Sequence, residues 1–131
     1  MKAKFFLCTT CGNVAIKLVD SGADLSCCGD EMMDLLPDTT ESLGEKHLPV
    51  LECDDKHYLK VKIGSVPHPM TKDHRILFIC LETEHGGQIQ YLEAGKPAEA
   101  VFCICCDDKP VAVYAYCNIH GLWMTKVNKC H

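Results

Sequence analysis

Two groups of side chains in this sequence are of the kinds that bind soft or borderline metal ions. The first is Cys8, Cys11, Cys27 and Cys28, in the stretches "CTTC" and "CC". A C-x2-C turn can direct two thiolates at one ion, and a second pair closes a tetrahedron of four sulfurs, the geometry of zinc or of a single iron. Here the second pair is adjacent. Neighbouring side chains diverge, so both reach one ion only if the sulfur–metal–sulfur angle departs from the tetrahedral value. The pattern does not choose iron over zinc, and two disulfides or a purely structural zinc site are the alternatives.

The second group is spread along the chain. Cys117 and His120 stand three apart in "YAYCNIHGLW", after a β-like run and before a glycine. His47 lies between "GEK" and "LPV", and "SVPHPMTKDH" supplies His68 and His74. These four histidines fall at strand ends or in loops, where a sandwich can gather groups from distant positions. Four histidines exceed the need of a blue-copper site and favour iron. His57 reads as an ordinary strand-edge residue, His85 as an exposed hairpin residue and His131 as a mobile terminal one. Pro67 and Pro69 bracket His68 and restrict its loop. Trp123 and Tyr116 flank the Cys117 loop; packing on the β core is their first expected role and shielding of the site their second.

The elements that must hold these groups are strands. In "HYLKVKIG", Leu59, Val61 and Ile63 share one face and Tyr58, Lys60 and Lys62 the other. Further candidates are Ile76–Leu81, Gln88–Leu92, Ala100–Cys105, Val111–Tyr116 and Leu122–Val127. Short strands with Gly, Pro and Asp between them predict an antiparallel sandwich, and no segment makes a persuasive long helix. Upstream, residues 1–36 read as a knuckle, a strand through "VAIKLV", a polar turn at "DSGAD" and a second knuckle. The stretch "LPDTTESLGE" has no apolar period and marks a linker at about 37–44. The expected domains are therefore 1–36 and 37–131.

Bulk properties agree. A unit of about 35 residues cannot bury enough surface to stand alone and needs a metal, disulfides or a partner. Eleven cysteines are an odd number, so they cannot all pair within the chain. The start "MKAKFFLCTTCG" has no signal-peptide apolar region and no run approaches a membrane span, which predicts a cytoplasmic protein with no membrane partner. In a reducing cytosol such a cysteine density means metal more often than disulfides. The net charge of −5 gives no support for nucleic-acid binding.

At this point a resemblance enters. "CTTCG" with "CC" resembles the desulforedoxin (rubredoxin-like) module, while "GEKHLPV", "HPMTKDH" and "YCNIHGLW" look like the iron centre of superoxide reductases. Together they resemble the two-iron desulfoferrodoxin family over essentially the whole chain. The resemblance implies two mononuclear non-haem iron ions. The first would be an Fe(Cys)4 site at Cys8, Cys11, Cys27 and Cys28. The second would be bound by His47, His68, His74, His120 and Cys117 on an immunoglobulin-like β-sandwich. It implies four roughly coplanar imidazoles, an axial thiolate and an open sixth position, with Glu45 able to occupy that position at rest and Lys46 near it. The implied activity is one-electron reduction of superoxide to hydrogen peroxide without dismutation, in a homodimer supplied by a rubredoxin-like donor. A structural or storage role for the first four cysteines is the competing reading. Cys53, Cys80, Cys103, Cys105, Cys106 and Cys130 match no ligand motif and are expected to be buried free thiols, with a disulfide or redox role as the alternative.

Overall fold

The computed structural model describes residues 4–40, 46–54 and 57–128. It divides into two compact units, Lys2–Leu36 and Pro37–His131. The described residues form twelve strands and no helix.

In the smaller unit, β1 (Phe5–Leu7) lies between β2 (Val14–Ile16) and β5 (Met33–Leu35), antiparallel to both. β3 (Ser26–Cys27) and β4 (Asp30–Glu31) make a separate hairpin, with Ser26 opposite Glu31 and Cys27 opposite Asp30. The two residues between them, Cys28 (φ 54) and Gly29 (φ 81), are both left-handed. That is the backbone of a two-residue primed turn, whose hand matches strand twist. Cys28 is the single non-glycine residue with positive φ among the described residues.

The larger unit is a sandwich of three strands against four, the strand count of a constant-type immunoglobulin fold. One sheet runs β10 (Glu99–Cys103), β7 (Tyr58–Ile63), β6 (Pro49–Asp54). The other runs β12 (Gly121–Lys126), β11 (Pro110–Cys117), β8 (Ile76–Thr83), β9 (Gly87–Tyr91). Every pairing within them is antiparallel. The inner faces supply one core, with Leu59, Val61 and Ile63 from β7, Phe102 from β10, Ile79 and Leu81 from β8, and Val113, Ala115 and Cys117 from β11. The alternation expected in β7 is therefore the one observed.

Three expectations change. β6 was absent from the predicted strands because it carries little alternation; it is an edge strand that opens on Pro49, a position where the missing N–H breaks no ladder. β10 ends at Cys103, two residues short of the predicted end. With Phe102 turned to the core, Cys103 faces outward, and Cys103, Cys105 and Cys106 are exposed free thiols rather than buried ones. Cys80 is a buried free thiol, whereas Cys53 is in a disulfide. Cys130, His131 and Glu45 lie outside the described residues.

Candidate metal centres

In the smaller unit, the β1–β2 turn and the β3–β4 hairpin bring Cys8, Cys11, Cys27 and Cys28 together, with sulfurs all within 4.8 Å of one another. Cys11 and Cys27 sulfurs are 3.6 Å apart, Cys27 and Cys28 4.0 Å. A metal with four sulfurs at about 2.3 Å has tetrahedral edges of about 3.8 Å. The adjacent pair thus converges, and the left-handed Cys28 is the backbone device that allows it. The Cys11 N–H points at the Cys8 sulfur (3.5 Å) and pulls that thiol down to about 6. Cys28, sharing hydrogen bonds with Cys11, Cys8 and Cys27, is pushed up to about 12. Four thiols this close cannot all ionise by themselves, and a bound cation removes the conflict. The Asn13 amide also points at the Cys27 sulfur (3.6 Å).

The second cluster forms at one end of the sandwich. His47 precedes β6, His68 and His74 lie in the β7–β8 connection, Cys117 ends β11 and His120 lies in the β11–β12 turn. Their ligand atoms are all within 4.8 Å of one another. The four rings close a circuit: His47–His68 4.7 Å, His68–His74 4.9 Å, His74–His120 5.0 Å and His120–His47 4.7 Å between centroids, each pair edge to face. His47 Nε2 is 3.0 Å from His120 Nδ1, the cis edge for two nitrogens each about 2.1 Å from a common ion. Cys117, fully buried, places its sulfur 3.7 Å from His120 Nδ1.

Two observations fit this set to a metal. His68 Nε2 and His74 Nε2 are buried and without a hydrogen-bond partner, a state that costs free energy unless something coordinates them. His68 also donates from Nδ1 to the Pro69 carbonyl (2.6 Å), leaving the Nε2 lone pair aimed inward. Burial, assisted by the neighbouring imidazoles, holds its pKa down to about 4, so the ring is neutral and able to ligate. Four imidazoles and one cysteine sulfur offer five donors, one more than four-coordinate zinc takes, a set that would suit ferrous iron.

The loops carrying these ligands are tied together. Asn118 accepts the Arg75 N–H (3.0 Å) and donates to the Asp73 carbonyl (2.8 Å), latching the His74 loop to the Cys117 turn. Thr71 Oγ1 accepts the His74 N–H (3.0 Å) and donates to the His74 carbonyl (3.1 Å). Trp123 stacks on His47 at 4.8 Å and 17° and donates to the His120 carbonyl (3.2 Å). Tyr116 instead stacks on Phe78. Sequence reasoning gave Asn118 no role; its signal was an amide side chain set between two ligand positions in a turn. His57 and His85 are exposed and stand outside the cluster, as expected.

A family model described as Desulfoferrodoxin matches residues 39–126. The chain is 39% identical over 120 residues to the desulfoferrodoxin of Nitratidesulfovibrio vulgaris, spanning 92% of this chain and 93% of that one. Among solved structures, the superoxide reductase from Treponema pallidum is similar with a TM-score of 0.83 and 32% identity, over 95% of this chain and 98% of its own. The superoxide reductase (1Fe-SOR) from Giardia intestinalis is similar over 64% of this chain and 98% of its own, with a TM-score of 0.54 and 28% identity.

Proposed function

This chain belongs to the desulfoferrodoxin family, and on that premise we propose how its own residues carry out superoxide reduction. It is a superoxide reductase with two mononuclear iron centres. Each turnover takes one superoxide, one electron and two protons to one hydrogen peroxide, and releases no dioxygen. When bound, ferrous iron supplies the electron and the Lewis acidity for this reduction.

His47, His68, His74, His120 and Cys117 are the proposed ligands of the reacting iron, and Cys8, Cys11, Cys27 and Cys28 those of the other. As ligands, four neutral imidazoles and one thiolate would leave a ferrous site about one net positive charge, which attracts an anion. Lys46, exposed and directly before His47, adds positive charge on the same segment. It steers superoxide and orders water for proton delivery. Glu45 is the proposed carboxylate that would cap the iron at rest. Cys117 lies at the end of a strand whose register is interrupted between Tyr116 and Cys117, an irregularity that aims its sulfur. Asn118 and Thr71 hold the ligand loops, and Trp123 covers the His47 ring.

The smaller unit, 1–36, is the proposed electron-relay module and 37–131 the catalytic one. A rubredoxin-like protein is the proposed donor, a homodimer the proposed assembly and the cytoplasm the proposed location. No helix among the described residues is long and apolar enough to cross a membrane.

The observation that carries this assignment is the closed circuit of four imidazoles beside the buried Cys117 sulfur, with two buried Nε2 atoms lacking any partner. The test is stopped-flow absorbance of reduced, iron-loaded protein mixed with a pulse of superoxide, with peroxide and dioxygen quantified. One peroxide per superoxide and no stoichiometric dioxygen is expected. A verified five-ligand ferrous centre that fails to react would overturn the assignment. Cys28→Ser should abolish the four-sulfur iron spectrum yet leave the first superoxide turnover intact.

A further inference from the structure

We propose that Cys105, Cys106 and Asp107 form a third metal site, open to solvent and suited to a thiophilic divalent ion such as zinc. Their ligand atoms lie within 4.8 Å of one another, all three residues are exposed, and both cysteines are free thiols. Cys106 Sγ is 3.8 Å from Asp107 Oδ1. A zinc ion with sulfur at about 2.3 Å and oxygen at about 2.0 Å has a sulfur–oxygen edge of about 3.5 Å and a sulfur–sulfur edge of about 3.8 Å. Small adjustments of three exposed side chains therefore complete three corners of a tetrahedron, and water fills the fourth.

Unlike the Cys27–Cys28 pair, whose convergence uses the left-handed Cys28, Cys105 and Cys106 bring their sulfurs within 4.8 Å of each other without a positive φ. The turn that carries the new site is also held in place from behind. The Asp108 N–H donates to the Cys105 carbonyl (3.0 Å) and the Ile104 N–H to the His57 carbonyl (2.7 Å). Asp108 Oδ1 accepts the backbone N–H groups of Lys109 (2.9 Å) and His85 (3.1 Å). Asp108 is thereby engaged in shaping the loop, which leaves Asp107 as the carboxylate beside the thiols. Two thiolates and one carboxylate select against calcium and magnesium, which take oxygen ligands.

The site is separate from the histidine cluster. The loop enters β11 at Pro110, and Cys117 stands at the other end of that eight-residue strand, about 24 Å away at strand rise. Zinc there would ligate two thiols that otherwise stand open to oxidation by the hydrogen peroxide the enzyme makes.

The test uses full-length, iron-loaded protein with reduced thiols, titrated with zinc and then alkylated, with modification at each cysteine read by mass spectrometry and iron content checked. One equivalent of zinc should protect Cys105 and Cys106 while Cys103, exposed on the neighbouring strand, stays reactive. Cys105→Ser should lose protection of Cys106, and Asp107→Asn should need at least about tenfold more zinc. Equal alkylation with and without zinc, equal protection of Cys103, or an unchanged zinc requirement in Asp107→Asn would each overturn the three-donor site.

Discussion

Gly64→Ala tests how tightly the fold holds the ligand loop. Gly64 has φ +79, and a Cβ built there falls 2.5 Å from the Lys46 carbonyl oxygen and 2.6 Å from the Val66 carbonyl oxygen. Both are backbone atoms, so no rotamer change relieves the contact. Ordinary contact begins at 3.4 Å, and the Lys46 segment must retreat by about 0.9 Å. Gly64 is further anchored by its N–H to the Leu48 carbonyl at 2.9 Å, on the other side of His47. The left-handed backbone alone costs an alanine about 1–2 kcal/mol, and forcing the displacement adds about 1–3 kcal/mol. Gly95 provides the control, with φ +85 and nothing within 4 Å of its added Cβ. Denaturant unfolding of the iron-loaded variants should therefore show Gly64→Ala losing about 1–3 kcal/mol more than Gly95→Ala. Stopped-flow reaction with superoxide should be unchanged in Gly95→Ala and slowed about ten- to a hundredfold in Gly64→Ala, the penalty of moving a reacting group by nearly 1 Å. If Gly64→Ala matches Gly95→Ala in stability and the parent in rate, the claim that this contact positions His47 is wrong.

Three further outcomes are expected elsewhere. The Thr83 hydroxyl and the Lys109 and His85 N–H groups hold the Asp108 carboxyl below the usual carboxylate range. Its folded value being depressed, its contribution is full above about pH 4 and fades as pH falls through the folded value; urea midpoints of the parent and Asp108→Asn should converge on acidification. Burial and the nearby Glu82 charge push the Cys80 thiol up to about 11, so at pH 8 alkylation should spare Cys80 until denaturant is added while Cys103 reacts at once; equal rates would contradict the buried placement. Tyr114 donates to Glu82 at 2.8 Å with both side chains buried. Tyr114→Phe should cost about 1–3 kcal/mol, and a double-mutant cycle with Glu82→Gln that shows no coupling would refute the pairing.

Much of this was legible in the residues. β7 announced itself through Leu59, Val61 and Ile63 because one of its faces meets the core and the other does not. The ligand candidates were visible because four histidines and a cysteine sat where strand patterns stop. What a pattern could not supply was convergence: His47 and His120 meet across 73 positions, a consequence of sheet pairing that no local window contains. β6 escaped because an edge strand beginning with proline carries little alternation. The left-handed backbone of Cys28, itself an expected ligand, escaped for another reason, since a left-handed cysteine runs against intrinsic preference and is imposed by the hairpin and the sulfurs around it. Cys103 was misplaced because the usual burial of a free cysteine was set above the alternation, which turns Ala100 and Phe102 to the core and Cys103 to solvent.

The sequence separations within the two clusters also set a timetable. The knuckle cysteines span positions 8 to 28 and draw on one small sheet and one hairpin, so their pocket exists as soon as a short stretch of chain has emerged and turned back on itself. The histidine cluster runs from position 47 to position 120 and needs both sheets, since its members lie just before β6, in the β7–β8 connection, at the end of β11 and in the β11–β12 turn. Long-range closure is the slow part of building a β protein. During synthesis the first pocket can therefore capture metal while most of the catalytic unit is still unmade, and the second is completed only when nearly the whole chain is available. A cell short of iron would then be expected to fill these two sites in sequence rather than together.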